Sequence, residues 1–385
     1  MVLLKKYLIL TFLCLITYTG FSKEKALRDS SSNANIVYKE RVNDEYTRFY
    51  FDDNYYLVDK NCPFKAIERV AKYDSVNFKF NGDFKDFDYR GKILLEGTFK
   101  NGVKEGTFVA YHPNGTKKWE ANYHNNEPLG ERKYYYPDGK PMLNLTFTLS
   151  DVSIDDYWDT YGIQKVKNGQ GKYEMKLPIL GFSEHGYSWY IKSGDIKDGK
   201  LHGSWYTSFV VNEKRNTKET VYIEDFNMGI RESFVSNDAF SDFYIPLEDF
   251  YIVPPDLFSR AELFLVKGCS FDEYSGFNYL LIRKFSNYLE NESFNQTNQE
   301  LTFEAQYAVS KTGTPGAKKI INQPNDLEKQ DRDKILNMFD EVYYFIPSIL
   351  DNQEIKDNIS IIINIKIINQ KAFIQNLTLK REIGK

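Results

Sequence analysis

Gly91-Lys-Ile-Leu-Leu-Glu-Gly-Thr-Phe-Lys-Asn-Gly-Val-Lys-Glu-Gly106-Thr-Phe-Val-Ala-Tyr-His-Pro-Asn114 is followed at once by a second unit of the same length, residues 115–138, laid out on the same plan. Gly91, Gly115 and Gly139 step by 24 residues, and Phe99, Tyr123 and Phe147 do the same. Gly106 and Gly130, Tyr111 and Tyr135, and Pro113 and Pro137 keep that interval. Several registers agreeing at one period mark an internal repeat, and a repeat decides the architecture.

Each unit reads as a pair of short strands. Asn101-Gly102, Asn114-Gly115 and Asp138-Gly139 favour the positive φ of tight hairpin turns. Between them Leu95, Gly97 and Phe99, then Phe108 and Tyr111, fall at strand spacing. Gly106 and Gly130 are expected to let one backbone pass close over a neighbouring aromatic, or to permit a bulge. A lone hairpin is marginal in water, so the units must stack edge to edge into a single-layer meander. Weaker copies follow: residues 196–205, with Gly199, Gly203 and Trp205, repeat the outline of 99–108, and 157–173 and 222–234 are degenerate units. Asn81-Gly82, with Phe84 and Phe87, leads the series. The array is expected over residues 77–234, after a β-rich lead-in at 23–76. Residues 235–255, closed by Pro246 and Pro254-Pro255, are expected to cap its terminal edge.

The pattern Gly106-Thr-Phe108 followed by Tyr111-His-Pro-Asn-Gly115 resembles the MORN-repeat variant family, short bacterial repeats named for toxin–antitoxin-type antitoxin components. The resemblance covers about 160 residues, and it implies an antiparallel β-hairpin array rather than an activity. Arg132 stands where the second unit should have the aromatic of Phe108, a departure expected to blunt stacking there.

Composition agrees with a mainly β protein. Tyrosine and phenylalanine number 29 each among 385 residues, and aromatic groups suit half-buried pleated surfaces. The first 22 residues read as a cleaved leader: Lys5 and Lys6, an uncharged run over 7–21, then Gly20-Phe21-Ser22 ahead of Lys23. That run is shorter than the ~17–25 residues that span a bilayer. Cys14 is a poor lipidation site, because Phe12 and Leu13 are bulky where small residues are wanted. Removing the leader takes two of the 50 basic residues and leaves 54 acidic ones, a net charge of about −6. With no basic stripe, nucleic acid is not the expected partner. Export puts Cys62 and Cys269 in an oxidising compartment, where they either form one disulfide or stay as two separate apolar thiols.

From about residue 251 the character changes. Residues 256–266 and 277–289 read as helical, 301–309 and 318–321 as strands, 327–339 as an amphipathic helix and 359–368 as a strongly β-prone run. The order helix, strand, strand, helix, strand implies a small α+β domain over 256–385. Phe303, Tyr307, Val309 and Gly313, then Phe345-Ile-Pro347 and Asn358-Ile-x-Ile-x-Ile363, resemble a divergent TonB C-terminal domain over about 80 residues. The family's tryptophan before the last strand is missing. Polar anchor residues and a proline-rich spacer are missing as well. The resemblance therefore implies a borrowed domain, not a working energy transducer.

Catalytic motifs are weak throughout. Gly169-Gln-Gly171 lacks the third glycine and helix of a phosphate cradle, and residues 311–316 read as a hairpin turn. Asp155, Asp156 and Asp159, like Glu224 and Asp225, read as solvated loop charge. His112 and His124 occupy non-equivalent places in adjacent units, so they do not repeat a metal site. Trp119, Tyr134, Tyr135, Tyr136, Trp189 and Trp205 are the candidate binding residues, as exposed rings on a flat sheet that could meet carbohydrate or protein. The expectation is an exported, non-enzymatic binding or scaffold protein, periplasmic or at the cell surface. It needs no cofactor or metal, is not integral to the membrane once processed, and takes an envelope protein or cell-wall material as partner. The alternative is an envelope hydrolase of glycan or peptide, with its site between the two regions.

Overall fold

The computed structural model describes residues 36–180, 185–212, 217–241, 243–245, 257–295, 299–350 and 353–382. The expected leader lies outside the described residues. Seventeen of the described strands, from Lys39–Arg41 to Ile230–Ser236, form one open antiparallel meander. Ile67–Asp74 pairs with Lys79–Phe87, which pairs with Ile93–Lys100, and the pattern runs on to Thr217–Asn227 and Ile230–Ser236. The sheet starts well upstream of the first recognisable unit. Strand pairing asks only for alternation and a turn, whereas the repeat also fixes glycine and proline positions.

The 24-residue step is physical. Leu95, Trp119 and Leu143 hold equivalent inward places, and all are buried. Tyr111 Oη donates to Glu96 at 2.7 Å, and one unit later Tyr135 Oη donates to Glu120 at 3.0 Å. Phe84, Phe99, Phe108 and Tyr123 form a ladder with successive ring centroids 5.1, 5.8 and 4.9 Å apart. Turns stack as well: the Gly102 N–H donates to the Phe80 carbonyl, and Asn114 Nδ2 donates to the Pro137 carbonyl at 2.7 Å.

Two expectations about the repeat are corrected. Gly106 and Gly130 do not pass beneath a ring, since a Cβ there would meet nothing within 4 Å, but the alternative of a bulge agrees with the pairing, which changes register across both glycines. They are glycines because φ is +80° and +77°, a conformation that side chains disfavour. The close approach lies elsewhere: a Cβ on Gly97 would sit 2.7 Å from the Phe108 ring, and one on Gly194 would sit 2.4 Å from Trp205. Arg132, at the Phe108 place, changes the stacking in kind rather than blunting it. Its buried guanidinium lies 4.8 Å from the Trp119 ring and 5.2 Å from Tyr134, a cation–π arrangement. The residue opposite Arg132 is Ala121, at the place that Gly97 holds one unit earlier.

A sheet one layer deep cannot bury its own inner face, and here the chain supplies the cover. The described part of the expected cap lies across the face of the last strands: Phe240 and Phe243 pack on Phe209 at 5.1 and 4.7 Å. Residues 257–263, expected as a helix, form a short 3-10 segment, Leu257–Leu263, that belongs to the same core. Phe258 packs on Phe108 and Trp119, and Phe264 on Phe49 and Phe80. This strap continues past Phe264 as extended chain, with a parallel bridge between Leu57 and Val266. Burying a ring of this kind stabilises by about 1.5–3 kcal/mol.

The C-terminal region has its own core. Its four-stranded antiparallel sheet has Gln299–Val309 and Asp357–Ile368 at the centre, flanked by Pro315–Asn322 and Lys371–Arg381. Ile359, Ile361, Ile363, Ile365 and Ile367 are fully buried on one face, the period-2 pattern of a strand covered on one side. The helix Phe277–Glu290 packs against that sheet through Leu281, Phe285 and Leu289, which join the second core with Ile335 of the helix Lys329–Met338. The expected order lacked the last strand, Lys371–Arg381, whose exposed, polar-rich edge hides its alternation.

Candidate functional site

The aromatic residues expected as a platform fall into two groups. Trp119, Tyr134 and Trp205 are 3%, 1% and 3% exposed, so they are core and not an exposed surface. The physical reason is parity: Trp119 shares the inward place of Leu95 and Leu143, and Trp205 lies over Gly194. Tyr135 and Tyr136 are half-buried, and their hydroxyls donate to Glu120 and to the Trp158 carbonyl. Trp189 keeps 36% of its surface exposed, with the Lys176 ammonium 4.6 Å from its ring.

The other sequence candidates are used locally. His112 Nε2 lies 2.8 Å from the Tyr135 carbonyl, and His124 Nδ1 lies 3.0 Å from Glu105. Asp155 accepts from Thr146 and Ser153, and Asp159 accepts the N–H groups of Tyr161 and Ile163 in its own turn. Glu224 pairs with Arg231 at 3.0 Å. Gly171 lies where a Cβ would meet the Lys165 carbonyl at 2.1 Å, so this glycine serves a close backbone crossing. Among the described residues no three His, Cys, Asp or Glu side chains converge as a metal site. No helix among them is long and apolar enough to cross a membrane.

The densest polar chemistry gathers where the strap meets the first strands. Arg69 and Asp86 are both fully buried and joined by two bonds of 2.7 and 2.9 Å. Tyr55 Oη also donates to Asp86 at 2.9 Å, and the Arg69 guanidinium stacks 4.3 Å from Phe84. Charges beside them fasten the strap: Lys104 to Glu262 at 2.8 Å, Lys267 to buried Asp52 at 3.1 Å, and Arg260 to the Asn54 carbonyl at 2.8 Å. Backbone bonds from Leu57 to Leu265 and from Lys267 to Leu57 complete the seam. Just beyond it Cys62 and Cys269 are disulfide-bonded, with Cα atoms 5.7 Å apart.

Next to this seam opens a cleft of about 320 Å³. Leu94, Leu95, Ala110, Trp119 and Phe258 wall it, and Asp53, Tyr55, Tyr111, His112 and Lys118 stand at its rim. The rim is electrostatically tied down. The bond from Tyr111 to the Glu96 carboxylate, with burial second, pushes the phenol up to about 12, and the same bond leads in holding Glu96 below its usual range. Asp53 accepts from Tyr274, and His112 lies against the Tyr135 carbonyl. An apolar hollow with polar groups at its edge can hold a ligand.

The residues that build this place were not singled out by pattern. Arg69, Asp86, Phe258 and Phe264 meet across long sequence separations, which no local spacing announces. Gly97 and Gly194 were legible: each precedes its covering ring, Phe108 or Trp205, by 11 residues. No protein-family model matches the sequence, and no curated protein matches it.

Proposed function

We propose that this chain is an exported, non-enzymatic binding or scaffold protein of the cell envelope, built from MORN-variant-like hairpin repeats and a TonB-C-terminal-like α+β region. The observation that carries the reading is the cleft beside the strap: apolar walls supplied by the repeats, and rim groups such as Tyr111 and His112 engaged with their own neighbours. Such a hollow favours holding over turnover, because general acid–base work needs a group within reach of the substrate proton and poised to exchange it. The partner is an envelope protein or cell-wall material, met from the periplasm or cell surface.

The test has two arms. Native protein should begin at or near Lys23 by N-terminal sequencing and fractionate outside the cytoplasm; an intact Met1 in the cytosol overturns the exported reading. Purified protein mixed with cell-wall polymer and with peptide substrates should release no soluble fragments. Steady release of reducing ends or new amines would overturn the non-enzymatic reading in favour of an envelope hydrolase.

A further inference from the structure

The two cores of the molecule share no residue: one fills the long sheet and the strap, the other fills the α+β region. The strap up to Lys267 is held by buried rings, by backbone pairing and by ion pairs. Beyond Lys267 the described ties to the long sheet converge on one loop, the one that carries Cys62 and Phe64. Phe64 stacks on Tyr274 at 4.4 Å and meets Phe271 at 6.4 Å, Tyr274 donates to Asp53 in an exposed bond of 3.1 Å, and Cys62 is bonded to Cys269. Glycines flank this seat on both sides. Gly268 precedes it, and Gly276, with φ +83°, separates the short helix Phe271–Ser275 from Phe277–Glu290. Cys269 is exposed while Cys62 is 6% exposed, so the bond lies nearer to solvent on the Cys269 side.

We propose that the Cys62–Cys269 bond is a reducible clasp that fixes the α+β region against the long sheet, and that reducing it frees this region to swing about Gly268 while both cores stay folded. The chemistry is thiol–disulfide exchange with a dithiol reductant. One thiolate of the reductant attacks Cys269 Sγ, forming a mixed disulfide and expelling Cys62 as a thiolate, which takes a proton from water. The reductant's second thiol then attacks its own bonded sulfur and releases Cys269. Two electrons pass to the protein, and the reductant departs as a disulfide. Among the described residues the noncovalent ties at the seat are the Phe64–Tyr274 stack, a tilted Phe64–Phe271 contact, Lys267 over the Tyr274 ring at 5.8 Å and one exposed hydrogen bond, which are weak by comparison with the buried strap.

The experiment compares the full native chain, oxidised and after treatment with dithiothreitol, with a Cys62→Ser/Cys269→Ser variant. Hydrogen exchange at the backbone amides of residues 268–276, read by mass spectrometry, should rise by roughly tenfold or more in the reduced and variant proteins, because exchange follows the population of the open form. Small-angle scattering should show a larger radius of gyration. Tryptophan emission and far-ultraviolet dichroism should stay unchanged. Equal exchange and equal scattering in all three samples overturn the clasp. Loss of sheet dichroism or a shift of tryptophan emission also overturns it, since the bond would then be a staple of the sheet itself.

Discussion

Replacing Gly97 with alanine puts a methyl carbon 2.7 Å from Cγ and Cδ1 of Phe108. Relief needs a displacement of roughly 0.7 Å or more to restore ordinary contact in a close-packed interior. The ring has nowhere to go: it is 0% exposed, with Phe84 at 5.6 Å, Phe99 at 5.8 Å, Tyr123 at 4.9 Å and Phe258 at 5.8 Å around it. Overpacking of this kind costs about 1–3 kcal/mol. Gly106→Ala is the control, since its methyl group meets nothing and its cost is the left-handed backbone alone, about 1–2 kcal/mol. The two losses are alike in size but differ in coupling. Shrinking the ring with Phe108→Leu should rescue Gly97→Ala, giving an interaction of about 1 kcal/mol or more, and should add independently to Gly106→Ala. All four tryptophans, Trp119, Trp158, Trp189 and Trp205, lie in the long sheet, so urea melts followed by their fluorescence read this sheet and not the α+β region. Strict additivity of Gly97→Ala with Phe108→Leu would refute the close-approach argument.

Three further outcomes follow from the geometry. Arg69→Met leaves Asp86 buried without its guanidinium and should cost about 3–5 kcal/mol, whereas Arg69→Met/Asp86→Leu should recover most of it in the same melts. Glu96 and Glu120 are held below the usual carboxylate range, Glu96 chiefly by Tyr111 and Glu120 chiefly by Lys117. Their stabilisation is therefore complete above the unfolded carboxylate pKa of ~4.3 and is lost as pH falls through the lower folded values. A Glu96→Gln/Glu120→Gln protein should show a flatter acid limb of stability against pH, and an unchanged limb would refute the assignment. Phe258→Ala should destabilise the long sheet by about 3–5 kcal/mol, because it uncovers Phe108 and Trp119 at once; a tryptophan-detected midpoint equal to that of the unaltered protein would show that the strap is not part of this core.

The meander was legible because its signal is local and repeated. Asn101-Gly102 takes positive φ at both residues, and the tyrosine–glutamate pairs fall at the same 24-residue step as the glycines. What failed was anything that depends on which face a residue occupies. Period alone places Trp119 and Trp205 on one face of a strand but does not say that the chain returns to cover that face, so they looked exposed. The strap itself carries Leu, Phe and Ala at helix-like spacing, and its 3-10 turn and extended tail are set by contacts with Leu57 and Phe108, about 150 to 200 residues away in sequence. The strand Lys371–Arg381 was missed for the converse reason. It is an edge strand, and half-solvated edges carry too few apolar residues to announce themselves.

The strap also dictates an order of events. Each hairpin of the long sheet pairs neighbours in sequence, so these contacts have short loops to close and can form as the chain emerges from its N-terminus. The Leu57–Val266 bridge and the contact of Arg260 with Asn54 cannot form until some two hundred more residues exist. Through all that time the row of rings from Phe49 to Phe209 lies open on one side, a sticky surface for any neighbouring chain. The last piece of the sheet to arrive is thus its lid, and a chain cut short before Phe258 should be the form that clumps or calls on a chaperone.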